Sequence, residues 1–433
     1  MLDSSLTLNE SEVKRAKSRL ARIDSAMAAQ ATFQPLKSGL PINVIQKHRA
    51  AINAYRSALA ASLDEYAQAK LGNFNALSEK WQHEPGVILI IARLARGLSQ
   101  ADLAKKLGLK EQQVQRYEAD RYKTISLANF KRISSALNVR LTTSIGDSTN
   151  PWLSFDQPTN ESFTTSELNK ILKHAVANRW FSDSEVGEQN QASLLEYIAD
   201  EKSQFGSLAF LRTGLSVEDL SQDASLIAWR ARITKLAEEE LKSIPESLDF
   251  LDISWLPDLA KLSRGDRGPL DAQDFLKARG ILLLTERQIP GLNLDGAAFL
   301  VRGIPVISLT LRHDRLDNFW FTLMHELAHV LLHHQVGLQV GFFDDLDQSH
   351  VDQVEAEAND FAESVLIPPD RWKISPARIS LDAAPIDDFA RQLNIHPAIV
   401  FGRVRRERNN YKIFWDRVGS GEVRKWFENT QRS

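Results

Sequence analysis

The stretch that decides the fold is Phe319-Trp320-Phe321-Thr322-Leu323-Met324-His325-Glu326-Leu327-Ala328-His329-Val330-Leu331-Leu332. It is apolar almost throughout, interrupted by Thr322 and by the run His325-Glu326-x-x-His329. On a helix, residues i and i+4 share a face, so His325 and His329 converge on one point. Burying two imidazoles and a carboxylate in an apolar helix is costly unless something satisfies them. A zinc ion would do so. Glu326 then sits beside the open coordination position, ready to take a proton from water whose pKa zinc lowers to about 7. Core histidines bonded to backbone are the competing reading of these five residues taken alone.

The next helix weighs against that competitor. Glu355-Ala356-Glu357-Ala358-Asn359-Asp360-Phe361-Ala362 offers Glu355 as a third ligand. Asn359 falls one turn later on the same face, where it can hydrogen-bond a ligating histidine. Glu357 points elsewhere and reads as solvated. His333, one turn after His329, is expected near the metal. His313, His334, His350 and several arginines compete with it as the donor that steadies a tetrahedral oxyanion. Asp344, Asp345 and Asp347 read as a solvated loop, with the lining of the cleft as the lesser alternative. Six of the ten histidines lie between His313 and His350, and the chain has no cysteine. That excludes disulfides, thiolate catalysis and cysteine zinc sites, so a metal must be held by His, Asp or Glu.

Residues 270–370 resemble the ImmA/IrrE family of zinc metallopeptidase-like domains, of gluzincin architecture. The resemblance rests on Phe319 to Leu323 leading into His325-Glu326-Leu327-Ala328-His329, on Leu332-His333, and on the run from Glu355 to Ala362 followed by Leu366-Ile367-Pro368. It implies that His325, His329 and Glu355 ligate Zn2+ and that Glu326 is the general base. Strands are expected at Ile281–Thr285, Ala297–Val301 and Ile304–Leu309, the last two a hairpin around Arg302-Gly303. They would form a small sheet beside helices near 314–334 and 351–366, the second stopped by Pro368-Pro369.

Charge is uneven along the chain. The 433 residues carry a net charge of -3. Yet Gly86 to Ile145 holds 11 basic against 4 acidic residues, net +7. Phe181 to Ala260 is net -10, and Gly402 to Ser433 net +5. The acidic block reads as solvated helix faces, the first basic block as a nucleic-acid footprint. Inside it, Ser99 and Asp102 suit an N-cap pair, and Gly108 suits the left-handed turn between two helices. The following helix, Lys110 to Ala119, buries Val114 and Tyr117 and leaves Lys110, Glu111, Gln112, Gln113, Gln115 and Arg116 outward. Those side chains read base edges and grip phosphates.

Residues 86–140 resemble the XRE family of DNA-binding domains, through Arg93, Gly97-Leu98-Ser99-Gln100, Leu103-Ala104, Leu107-Gly108, Val114 and Arg116-Tyr117-Glu118. The resemblance implies that Gln100, Glu111, Gln112 and Arg116 lie nearest bases or phosphates of double-stranded DNA. It also implies an internal ion pair between Arg93 and Glu118. A homodimer would read two half-sites about one turn apart. Asp388 to Ile395 echoes this helix and turn, with Asn394 in place of Gly108. There Phe401 and Gly402 replace Gln115 and Arg116, so packing or partner contact is expected, with Arg403, Arg405, Arg406 and Arg408 as candidate phosphate contacts.

The fold class expected is mainly α with a small β-sheet: a helical hairpin, a five-helix helix-turn-helix domain and a gluzincin-like α+β domain. Boundaries are expected at 1–80 (a dimerisation arm), 83–145, 146–265 (an acidic connector), 266–375 and 376–433. The amino terminus lacks an apolar signal core, and the run Val87–Ala92 is too short to span a bilayer, so no membrane and a cytoplasmic location are expected. The whole looks like XRE–ImmA/IrrE fusions, described as HigA-type antitoxins or stress regulators. Three functions follow. One is a DNA-binding regulator whose zinc peptidase cleaves itself or a partner repressor. Another is an antitoxin or repressor, with a toxin protein as its partner, whose peptidase fold only senses or binds. The third is a general protease with an incidental helical arm, which the helix-turn-helix argues against.

Overall fold

The computed structural model describes residues 10–28, 39–73, 77, 79–81, 84–119, 121–123, 125–139, 165–181, 194, 224–244, 248–333, 338, 341–344 and 353–430. Among them the protein is mainly helical, with one four-stranded sheet. The chain divides into two compact units: residues 1–29 with 52–159, and residues 30–51 with 160–433. The five-segment division expected from sequence is finer than this and stays a proposal. Much of its acidic connector lies outside the described residues.

The first unit holds α1 (Glu10–Ala28) and the later turns of α2 (Ile42–Leu71). Val13, Ala16 and Ile23 of α1 are buried, as their 3,4 spacing requires of one helix face. A hydrogen bond from Arg19 to Tyr55 ties α1 to α2. The rest is α3 (Pro85–Ala95), α4 (Gln100–Leu107), α5 (Glu111–Ala119) and α6 (Leu127–Ala136). Four of the expected five helices therefore lie among the described residues. The run Val87 to Ala92 makes α3 apolar on nearly every side, so it forms the centre against which Leu103, Leu107, Val114 and Ile133 pack.

The second unit is built on a sheet with strand order β1-β3-β2-β4: β1 (Leu282–Thr285), β2 (Gly296–Val301), β3 (Ile304–Leu309) and β4 (Phe342–Asp344). β1 runs parallel to β3, and β2 is antiparallel to both β3 and β4. Arg302 and Gly303 take φ of 50° and 83°, the paired left-handed conformation of a two-residue hairpin turn.

Alternate strand residues face two apolar layers. Leu283, Ala298, Ile307 and Leu309 share a core with α11 (Leu316–Leu332) and α12 (Gln353–Leu366). Leu282, Phe299, Val306 and Phe343 share the other with α7 (Thr165–Ala177) and α8 (Ala224–Glu240). The remaining helices are α9 (Leu256–Lys261), α10 (Gly268–Lys277), α13 (Pro369–Lys373), α14 (Ala383–Leu393), α15 (Pro397–Glu407) and α16 (Arg424–Thr430).

The echo of the helix-turn-helix is real in backbone shape. Asn394 closes α14 at φ 59°, ψ 39°, close to the 63°, 32° of Gly108. Its second helix is otherwise employed: α15 packs on α11 and buries Val400, Phe401 and Val404. The arginines named above as phosphate contacts bond internally. Arg403 and Arg406 pair with Glu363, Arg405 reaches the Tyr411 carbonyl, and Arg408 the carbonyls of Arg378 and Ser380.

Candidate metal centre and nucleic-acid interface

Helix α11 delivers His325, Glu326 and His329 into the interior, each 0% exposed. Their Nε2 atoms, His325 to His329, stand 3.1 Å apart. Helix α12 crosses α11 and brings Glu355, whose carboxylate is 3.2 Å from His325 Nε2 and 3.6 Å from His329 Nε2. A fourth group completes the cluster: Asp344 Oδ2 lies 3.3 Å from His329 Nε2 and 3.5 Å from His325 Nε2. The ligand atoms of all four residues lie within 4.8 Å of one another, the one grouping among the described residues that could hold a metal ion.

Asp344 corrects the preferred sequence reading, a solvated loop, in favour of its alternative, a place lining the cleft. It is 5% exposed because β4 pairs with β2, setting Asp344 opposite Gly296. Side chains two apart on a strand share a face. Phe342 accordingly faces the same site, its ring stacked on His329 at 4.1 Å between centroids. The signal in sequence was Phe342-Phe343-Asp344, an apolar pair too short to announce a strand. Asp345, Asp347, His334 and His350 lie outside the described residues.

Two carboxylates and two imidazoles buried this closely call for a cation among them, and the oxygen and nitrogen donors suit zinc. Other atoms fit the same reading. His325 Nδ1 and both oxygens of Glu326 are buried with no hydrogen-bond partner among the described residues. Small residues leave Glu326 its room. A Cβ on Gly296 would overlap Glu326 Oε1 and come within 2.9 Å of Thr322 Cγ2.

Burial, then the charges of Asp344 and Glu355, push the Glu326 carboxyl well above its ordinary range. Burial opposes charge on His325 too, but Asp344 and Glu355 outweigh it and raise the imidazole to about 9. Burial likewise works against the Asp344 carboxylate, yet the two imidazoles hold its pKa below the usual value.

The residues expected around the ligands divide. His333 does contact the cluster, its Nδ1 3.1 Å from His329 Nδ1. Its Nε2 lies 3.4 Å from Glu357, the glutamate that the sequence reading had set aside as solvated. Burial, then the neighbouring His329, lower the pKa of His333 to about 4. Asn359 is turned elsewhere: its side-chain oxygen accepts from Arg406 at 3.5 Å.

In the first unit, Ser99 and Asp102 form a reciprocal capping box and Gly108 adopts the left-handed turn. Lys110, just before α5, and Glu111, Gln112, Gln115 and Arg116 along it are exposed, and Gln113 is half-buried. Gln113 accepts from the Lys110 amide at 3.1 Å, which occupies it as a local cap. Gln115 donates to Glu111 at 3.0 Å. Gln100 departs from the expectation of a base contact. It is 8% exposed and donates to Glu118 at 2.7 Å. Glu118 also holds Arg93 in a two-pronged pair at 2.5 and 2.7 Å. Gln100 is therefore part of the internal brace of α3, α4 and α5.

Comparison with known families agrees with this division. Residues 89–143 match a family model described as helix-turn-helix. Residues 281–384 match one described as the IrrE N-terminal-like domain, of the M78 peptidases. No curated protein and no solved structure matches the chain significantly. No helix among the described residues is long and apolar enough to cross a membrane. The chain thus joins an XRE-type helix-turn-helix segment to an IrrE N-terminal-like segment.

Proposed function

We propose that this protein is a DNA-binding transcriptional regulator carrying a zinc-dependent peptidase that cleaves its own chain or a partner repressor. The observation that carries the peptidase reading is Glu326: a buried carboxylate to which no backbone or basic group among the described residues donates, next to His325, His329, Asp344 and Glu355. A structural carboxylate would be satisfied by donors; one held ready for a proton need not be. Bound there, zinc acts as a Lewis acid toward a peptide carbonyl and lowers the pKa of water to about 7. His325, His329 and Glu355 would hold the ion. Glu326 would take the proton of the attacking water and return it to the leaving amine. His333, through His329, would orient that ligand.

The DNA reading is supported by the exposed α5 face of Gln112, Gln115 and Arg116 together with the basic surroundings of the helix-turn-helix. In this reading α5 enters the major groove and the protein binds as a homodimer.

The test is purified full-length protein with zinc, beside Glu326→Gln, with and without operator DNA. Cleavage of self or partner that Glu326→Gln abolishes while zinc stays bound supports the proposal. Cleavage that is absent, or independent of Glu326, overturns it. A second reading keeps the DNA-binding function but makes the peptidase fold a sensing or interaction module of an antitoxin or repressor. The buried carboxylate of Asp344, the fourth residue of the cluster, favours it, since four protein ligands characterise structural zinc sites.

A further inference from the structure

We infer that Asp344 is a fourth ligand of this centre, so that His325, His329, Asp344 and Glu355 form a closed set from the chain itself. The inference rests on reading the cluster as a zinc centre and adds to it the question of what fills the position hydrolysis uses.

The distances carry the argument. Zinc binds nitrogen and oxygen at about 2.0–2.1 Å, so the edge of its tetrahedron is about 3.3 Å. Five distances in the cluster fall near that value: 3.1 Å between the two Nε2 atoms, 3.3 and 3.5 Å from them to Asp344 Oδ2, and 3.2 and 3.6 Å from them to the two oxygens of Glu355. Asp344 supplies two of these five, as Glu355 does. Asp344 thus meets both imidazoles as closely as Glu355 does.

Asp344 is also held in place by backbone. It ends a strand paired to β2, and its carbonyl accepts from the Asp295 amide at 2.8 Å. Phe342, on the same face of β4, is stacked on His329. The side chain at position 344 is thereby aimed at the metal by sheet register. Its Oδ2 is buried and faces the Nε2 atoms of His325 and His329. Hydrolytic zinc sites keep one position open, and here Asp344 fills it. A substrate must then displace the Asp344 carboxylate before Glu326 has a water to deprotonate.

The experiment loads full-length wild type, Asp344→Asn and Asp344→Ala with Co2+ in place of zinc. Visible absorption is read before and after acetohydroxamate, a small chelator that needs an open position. Affinity is read by competition with a chromophoric chelator, and folding by far-ultraviolet circular dichroism. The expected result is a wild-type spectrum that acetohydroxamate leaves unchanged. Both variants should bind Co2+ at least about tenfold more weakly, and Asp344→Ala should respond to the hydroxamate. Asp344→Asn, nearly isosteric, decides the matter if the alanine variant does not fold. Equal affinities, with a wild-type spectrum that shifts as the variant's does, would overturn the inference. The metal result standing without any Glu326-dependent cleavage, in wild type or in Asp344→Ala, would overturn the peptidase reading alone.

Discussion

His333 meets His329 ring to ring, Nδ1 to Nδ1 at 3.1 Å, on the side of His329 away from the cluster. With Glu357 at 3.4 Å beyond it, a carboxylate and an imidazole stand in line behind the His329 imidazole. Such a line fixes tautomer and ring orientation. His333→Phe should weaken metal affinity about 10- to 100-fold while leaving the fold intact. Glu357→Gln should act in the same direction and less strongly. Competition with a chromophoric chelator measures both, and unchanged affinity in His333→Phe would remove the residue from the centre.

Gly296 makes room for Glu326. Gly296→Ala should push the carboxylate aside, since its new Cβ would overlap Oε1. Metal content should persist, because the four clustered ligands are untouched. Cleavage should fall by about 100-fold or more, the loss expected of a displaced general base. Full activity in Gly296→Ala would count against Glu326 in that role.

Removing metal should soften the second unit. A ligand bound to the native state alone stabilises it by about 2.7 kcal/mol at 100 times its Kd. Chelation should therefore lower the thermal midpoint of wild type. Glu355→Ala should show a much smaller drop on chelation. Differential scanning calorimetry with and without chelator reads the difference.

His48 gives a pH dependence remote from the cluster. It is 4% exposed, with Nε2 2.7 Å from the Phe250 carbonyl. Burial depresses its pKa below 6.5, against smaller raising effects from the Phe250 bond and the Asp252 charge. Below pH 6.5 the unfolded chain therefore takes up a proton that the folded chain refuses. The stability contributed by neutral His48 is complete above about pH 6.5 and is lost as pH falls toward the depressed value. Denaturation midpoints at descending pH should fall more steeply for wild type than for His48→Gln.

In the first unit, Arg93 and Glu118 are 3% and 0% exposed at their side chains. Deleting one partner strands a buried charge, a loss of about 3–5 kcal/mol. Glu118→Ala should collapse hydrogen-exchange protection in α3 and α5 and abolish DNA binding through loss of fold. Gln112→Ala with Arg116→Ala should abolish an operator footprint with protection unchanged. An intact footprint would move the recognition surface off α5.

The candidate metal-site residues on helices were legible because helical spacing is local. His325, His329 and Glu355 announce themselves by type and by their apolar settings, and the hairpin at Arg302-Gly303 by its turn residues. Asp344 was not legible, since its placement depends on pairing with Gly296, far away in sequence, and β4 is too short for alternation to register. Gln100 misled for a related reason. Its amide suits a base edge as well as it suits Glu118, and only the packed neighbours choose between them. Asn359 was placed on the right helix, but its oxygen was taken by Arg406 from α15, an element joined to α11 only by tertiary packing.

The pairing of β2 with β4 has a consequence for the chain as written. Because side chains alternate along a strand, losing or gaining one residue between Gly341 and Asp344 would turn the strand over. Phe343, now stacked with Phe299 at 6.1 Å on the opposite layer, would then point at the histidines, and the carboxylate would leave them. The spacing from Gly341 to Asp344 is thus a reading frame of its own, one that tolerates changes of residue more readily than a change of count.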